Sequence, residues 1–186
     1  IGQGDVSSNT ITSSQLATND WLDIRVELSG DGIVAPAGTI TFTDVKGVSI
    51  TKPVKVAVSD TSSYIDALRT LEVRGRGSST NQIYVDYMRV STVYYDGYVD
   101  EDYSENNINN WAMIKPSLGT TSAVEIAGEP GNYAVSLIPN TDGDNNNTST
   151  LIRKSLNGGA GYAFETGKRF VIKTRMKQTN NAHEYM

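Results

Sequence analysis

The segment from Asn140 to Ser149 is rich in oxygen-bearing side chains and is the sharpest local motif of the chain. Asp142, Asp144 and Asn146 stand two residues apart, as oxygen ligands do in calcium-binding loops. The full EF-hand pattern is absent, because its sixth position is not glycine and its twelfth is Arg153 rather than glutamate. The motif leaves two interpretations open, a calcium site and a solvated asparagine-rich hairpin tip.

A second set of residues has the chemistry to bind sugars. Apolar and polar side chains alternate strictly from Trp21 to Leu28, so Trp21, Asp23 and Arg25 share the polar side of one predicted strand. An exposed tryptophan offers a flat apolar surface of the kind on which sugar rings stack. With Tyr84, from a tyrosine-rich part of the chain, these residues form a candidate carbohydrate-binding platform. The alternative is a β-bulge that turns Trp21 into the core.

Four basic residues share one face of a later strand candidate: Arg169, Lys173, Arg175 and Lys177. One interpretation is attraction for an acidic polysaccharide. The other is a solvated face or an edge strand, on which lysines prevent aggregation. Both interpretations stay open at the level of sequence.

The chain carries no convincing catalytic signature. His183 is its only histidine, and no matched partner marks it as a general base. Cysteine is absent, and there is no G-x-S-x-G motif, phosphate-binding loop or zinc-ligand spacing. We therefore predict that the protein is not an enzyme.

Composition narrows the classes of partner. The 186 residues carry a formal net charge of −5, which argues against nucleic-acid binding. No apolar run approaches the roughly 18 residues needed to span a bilayer, so no membrane partner is predicted. The chain begins at Ile1, which favours a mature product or a piece of something longer. Abundant Tyr, Gly, Asn, Ser and Thr are typical of secreted β-proteins, and we predict an extracellular location.

Strands and turns must position all of these residues. Candidate strands cover residues 21–28, 39–45, 54–58, 71–74, 83–90, 123–126, 133–138, 151–154 and 170–177. Glycine-rich turn clusters separate them, a pattern that predicts an all-β sandwich or barrel. The stretch 93–100 is the weakest point and joins two parts of the chain, although its tyrosines indicate that it packs against something.

Short phrases along the chain are similar to those of concanavalin-like and laminin-G-like jelly-roll modules, including carbohydrate-binding modules of that build. The opening phrase would be Glu101-Asp102-Tyr103 with Trp111, and the closing phrase Ile83-Tyr84-Val85-Asp86. The order is rotated: residues 98–186 resemble the first half of such a module, and residues 1–97 resemble the second half. Together they make one module of ordinary size.

The resemblance implies an antiparallel β-sandwich with jelly-roll topology, either circularly permuted or completed by a neighbouring copy. It also implies a structural calcium ion that joins Glu101 or Asp102 to Asp86. The implied function is a non-catalytic module that binds polysaccharide, as an accessory of a secreted carbohydrate-active protein. The alternative is a structural subunit or repeat of an extracellular fibre or surface layer, in which copies of the chain assemble by strand complementation.

Overall fold

The computed structural model describes residues 16, 19–31, 36–55, 67–75, 82–92, 95–101, 112–114, 119–139 and 150–179. These residues form thirteen strands and a short 3-10 helix at Asn157–Gly159. The strands are β1 (Trp21–Ser29), β2 (Ala37–Asp44), β3 (Ser49–Lys55), β4 (Ala67–Leu68), β5 (Thr70–Gly75), β6 (Ile83–Thr92), β7 (Tyr95–Glu101), β8 (Ala112–Ile114), β9 (Gly119–Glu125), β10 (Tyr133–Pro139), β11 (Thr150–Ser155), β12 (Tyr162–Ala163) and β13 (Arg169–Gln178).

One large antiparallel sheet dominates the fold. Its strand order is β3-β2-β1-β13-β6-β10-β9, and β7 also pairs with β6. Two strands share the far edge of β6: β10 pairs with its residues 83–85, and β7 pairs with its residues 88–92. The smaller sheets have the orders β5-β11-β8 and β12-β4. The fold is therefore all-β, as the sequence predicts. Most of the stretch 93–100, which the sequence marks as the weakest point, belongs to β7 and pairs with β6.

The core lies between the inner face of the large sheet and the small sheet around β11. Alternate residues of β1 are buried there, and Val73 and Ile152 meet them from β5 and β11. Phe170, on β13, is completely buried and contacts the ring of Phe164 edge to face, with 5.0 Å between ring centroids. Two sheet layers around one apolar core form the predicted β-sandwich. Jelly-roll topology stays a prediction.

Strands from residues 1–97 and from residues 98–186 occur together in each sheet. In the large sheet β13 lies between β1 and β6, and it pairs along nearly its whole length with both. In the small sheets β11 pairs with β5, and β12 pairs with β4. The central strand of the molecule thus joins two strands that lie far from it in sequence.

A β-bulge interrupts the regular pairing of β6 with β13. The register passes from Tyr87 opposite Arg175 to Val85 opposite Met176, so Asp86 is an extra residue on β6. Val85 and Asp86 are consequently both buried, and the alternation of β6 shifts by one position. This bulge brings the Asp86 carboxylate to Arg175.

The β1–β2 pair requires a glycine at position 38. A methyl group added there would lie 1.7 Å from the backbone oxygen of Glu27, on the neighbouring strand. No side-chain rearrangement relieves a clash with backbone, so only glycine allows this close approach.

Candidate functional site

Nine side chains on the outer face of the large sheet form three rows across β1, β13 and β6. Each row contains one residue from each strand, placed opposite one another by the register. We call this set the outer platform. Its rows are Trp21–Lys177–Tyr84, Asp23–Arg175–Tyr87 and Arg25–Lys173–Arg89.

The outer platform contains all four residues predicted to bind carbohydrate: Trp21, Asp23, Arg25 and Tyr84. Trp21 lies on the polar side of β1 and is half-buried, so the bulge alternative for this residue is wrong. Neighbouring strands lie about 4.8 Å apart and residues rise about 3.3 Å along a strand. The platform is therefore about 10 Å by 13 Å across.

Arg175 occupies the centre of the platform. Its guanidinium carbon lies 4.7 Å from the centre of the Trp21 ring, a cation–π contact that fixes the indole against β13. Beside it the Tyr87 hydroxyl donates a hydrogen bond of 3.0 Å to Asp23. This bond links β6 to β1 across the intervening strand. The aromatic and acidic parts of the platform are thus held in place before any ligand arrives.

An acidic pair neutralises Arg175. Its Nη1 atom donates to Asp86 Oδ2 at 2.9 Å, and its Nη2 atom donates to Glu129 Oε1 at 3.0 Å. Glu129 comes from the turn between β9 and β10, and it also accepts a 2.8 Å bond from the Asn132 side chain. The Asp86 side chain is only 7% exposed, whereas that of Glu129 is 38% exposed. Arg175 therefore ties the bulge of β6 to the neighbouring turn.

The same contacts shift the pKa values of the groups around Arg175. Burial raises the pKa of Asp86 and outweighs the lowering effect of its hydrogen bond from Arg175. In the more exposed Glu129 the hydrogen bond from Arg175 dominates and lowers the pKa. Burial, followed by the hydrogen bond to Asp23, raises the pKa of Tyr87 to about 12. Tyr87 is accordingly a neutral hydrogen-bond donor throughout the physiological pH range.

A second group of ion pairs lies near the C-terminal end of β1, where Glu27 pairs with two arginines. The guanidinium of Arg25 lies 2.6 Å from Glu27, and Arg169 contacts the other oxygen of Glu27 at 3.0 Å. The hydrogen bond from Arg25 lowers the pKa of Glu27. Of the four basic residues on β13, Arg169 and Arg175 thus have carboxylate partners. Because β13 lies inside the sheet, the edge-strand interpretation of these residues is wrong.

Most of the predicted calcium ligands lie outside the residues that the structure describes. Asp102, Asp142, Asp144 and Asn146 lie outside them, as does His183. Glu101 ends β7 and pairs with Met88, but only its backbone is described. Within the described ranges, no three histidine, cysteine, aspartate or glutamate side chains gather as a metal-binding group. A cation at Asp86 would have to sit beside the guanidinium of Arg175.

Sequence reasoning missed the cluster of Arg175, Asp86 and Glu129. The bulge left a signal, because the buried apolar residues of β6 follow the order Ile83, Val85, Met88 and Val90, with one extra residue between the second and the third. A phase shift of this kind predicts a bulge at Asp86. No comparable signal identifies Glu129, which lies in a turn and reaches Arg175 only through the β9–β10 connection.

Comparison with known proteins gives no family for this chain. A scan against protein-family models found no match, and a search of curated proteins also found none. In the described part of the chain, no helix has the length and apolar character to cross a membrane. The chemistry of the outer platform is therefore the basis for a functional proposal.

Proposed function

We propose that this protein is a non-catalytic, extracellular module that binds polysaccharide on the outer platform, as an accessory part of a secreted carbohydrate-active protein. One observation carries the proposal: Trp21, Asp23 and Arg25 of β1 and Tyr84 of β6 occupy one face of the large sheet, on either side of β13. A flat sheet face that combines an accessible aromatic ring with hydrogen-bonding side chains suits a long polymer of sugar rings.

Each of the four residues has a different role in the proposed binding of sugar. Trp21 supplies apolar surface, and because Arg175 covers one side of its ring, the sugar contacts the part of the indole left accessible. Asp23 accepts hydrogen bonds and Arg25 donates them. The Tyr84 hydroxyl donates to the side chain of Gln82, so Tyr84 offers a sugar its ring and the acceptor lone pairs of that hydroxyl. The Tyr87–Asp23 bond and the Arg175 stack hold these groups in advance, which reduces the ordering cost of binding.

Replacing Trp21 with alanine is expected to abolish binding. The measurement is retardation of the protein in native gels that contain single polysaccharides, across a panel of neutral and acidic polymers. Trp21 supplies the main apolar contact of the platform, and its loss weakens binding by about tenfold or more, which removes the retardation in the gel. Val45→Ala is a matched control, because Val45 is 54% exposed at the β2–β3 turn, away from the platform. If the wild-type protein is not retarded by any polymer, the proposal is rejected.

The alternative function is assembly of copies of the chain by strand complementation. The sequence of β3, the strand at one edge of the large sheet, disfavours such pairing at that edge. Pro53 has no backbone N–H to donate, and Lys52 adds a charge to the same strand. Proline and lysine on an end strand are devices that discourage pairing with another chain. Polysaccharide binding is therefore the better supported proposal.

The proposal includes a structural calcium ion at one of two candidate sites. One consists of Asp142, Asp144 and Asn146, and the other joins Glu101 or Asp102 to Asp86. An ion that binds the folded state alone raises the melting temperature. We expect a higher melting temperature in calcium chloride than in EDTA, with magnesium chloride as the control for ionic strength. Equal melting temperatures in calcium and EDTA would reject the calcium ion and leave the polysaccharide proposal intact.

A further inference from the structure

Three cationic side chains stand in line across the centre of the large sheet. Lys173 of β13 lies directly opposite Arg25 of β1 on one side and Arg89 of β6 on the other. Like charges placed directly opposite each other on adjacent strands destabilise a sheet. A local arrangement that costs stability points to a function for which the charges are needed.

Neighbouring groups offset the two outer cations but not the central one. Arg25 is paired with Glu27, and the guanidinium of Arg89 lies over the Tyr87 ring, 4.9 Å from its centre. Lys173 is exposed, and among the described residues its ammonium group forms no ion pair. A positive group therefore remains open to solvent at the middle of the row, with guanidinium groups on both sides.

The charge of the outer platform contrasts with that of the chain. The whole chain carries a formal net charge of −5. The platform nevertheless contains five cationic side chains and one carboxylate of its own, that of Asp23. Arg25 and Arg175 are paired with carboxylates beside the platform, so its positive charge comes mainly from the other cations, with Lys173 at the middle of its row. Lys177 continues the positive surface on β13, beside Trp21. A surface of this kind concentrates anions, and an arginine or lysine beside the apolar ring suits a sugar that carries an acidic group.

We propose that the polysaccharide bound by the platform is anionic, and that its carboxylate or sulfate groups bind at Lys173 between Arg25 and Arg89. This inference rests on the proposed polysaccharide binding and adds the chemical class of the ligand. Trp21 contacts a sugar ring while the row of cations, about 13 Å away along the strands, receives an acidic group further along the same polymer. Lys173 is the residue that determines the preference for charge.

The test compares polymers that differ only in charge. Affinity electrophoresis is run with polygalacturonate and with the same polymer after full methyl esterification, which removes the carboxylates and keeps the sugar backbone. Dextran sulfate and unmodified dextran provide the corresponding sulfate pair. We expect binding to at least one charged polymer to be at least tenfold tighter than to its neutral partner, and the difference between the two charged polymers identifies the acidic group.

Two variants with the same change of charge locate the site. Loss of one charge-assisted hydrogen bond weakens binding by about tenfold, so Lys173→Gln is expected to have an effect of that size. Lys46→Gln removes one positive charge at the exposed β2–β3 turn and is expected to leave affinity within about twofold, since exposed charges further apart than the Debye length are largely screened in 0.15 M salt. Circular dichroism confirms that both variants are folded.

Each outcome decides between the proposals. Equal binding of charged and neutral polymers overturns the anionic preference while polysaccharide binding stands. Equal losses in Lys173→Gln and Lys46→Gln overturn the site, because the attraction is then a property of overall charge. Absence of binding to every polymer removes the proposed function itself, and the inference with it.

Discussion

Replacing Arg175 with methionine is expected to lower the free energy of unfolding by about 3 kcal/mol, as measured by urea denaturation. The change leaves the Asp86 carboxylate, only 7% exposed, without its cationic partner. An unpaired buried charge is among the costliest defects in a folded protein. Methionine keeps much of the volume of the arginine stem, so the loss reports on charge rather than on packing.

A double-mutant cycle provides the control for this prediction. Asp86→Asn removes the buried negative charge, so Arg175→Met should cost much less in that background. Equal costs in both backgrounds would show that the ion pair contributes little. The bulge would then need another explanation.

The cost of Arg175→Met is also expected to depend on pH. A carboxyl group whose pKa is higher in the folded than in the unfolded state favours folding more as the pH falls through its folded pKa. Burial already raises the pKa of Asp86, and loss of Arg175 removes the contact that lowers it. In the wild type, the stabilisation from Glu129, whose pKa is lowered, disappears as the pH falls through its folded pKa. The difference between variant and wild type should therefore shrink at acid pH, and a constant difference would contradict the argument.

Replacing Phe170 with alanine is expected to have the largest effect on stability, about 4 kcal/mol. Phe170 is 0% exposed, lies on the central strand and packs edge to face on Phe164. Removal of its ring leaves a cavity that strands paired on both sides cannot easily close. The midpoint of urea denaturation measures the change.

Two substitutions with smaller expected effects on stability serve as controls for Phe170→Ala. Phe170→Leu keeps most of the apolar volume and is expected to cost about half as much. Val124→Ala alters a residue that is 40% exposed and is expected to stay within about 0.5 kcal/mol of the wild type. If Phe170→Ala were as mild as Val124→Ala, the position of the core between the sheets would be wrong.

Sequence periodicity predicted the strands that matter most for the fold. The strict alternation from Trp21 to Leu28 corresponds to β1, and the apolar residues of that segment form its buried face. The all-β sandwich follows from several such segments with glycine-rich turns between them. Strand order could not be read in the same way, because no local pattern states that β13 lies between β1 and β6. Pairings of that kind depend on contacts between residues far apart in sequence.

The candidate site was predictable where it lies on one strand. Alternation alone placed Trp21, Asp23 and Arg25 on one face, and it placed Lys173 and Arg175 together on another strand. It could not predict that these two faces are neighbours, nor that Glu129 reaches Arg175 from a turn. The rows of the platform are a product of register, which only the assembled sheet defines.

The central position of β13 has a consequence for how the chain folds. The sheet cannot close until residues 169–178 have been synthesised, because β1 and β6 meet only through this strand. The contacts between β1 and β13 join residues that are more than a hundred positions apart in sequence, and such long-range contacts slow the search for the native topology. Until β13 has been synthesised, the edges of β1 and β6 that it covers in the folded sheet have no native partner and are exposed to incorrect pairing.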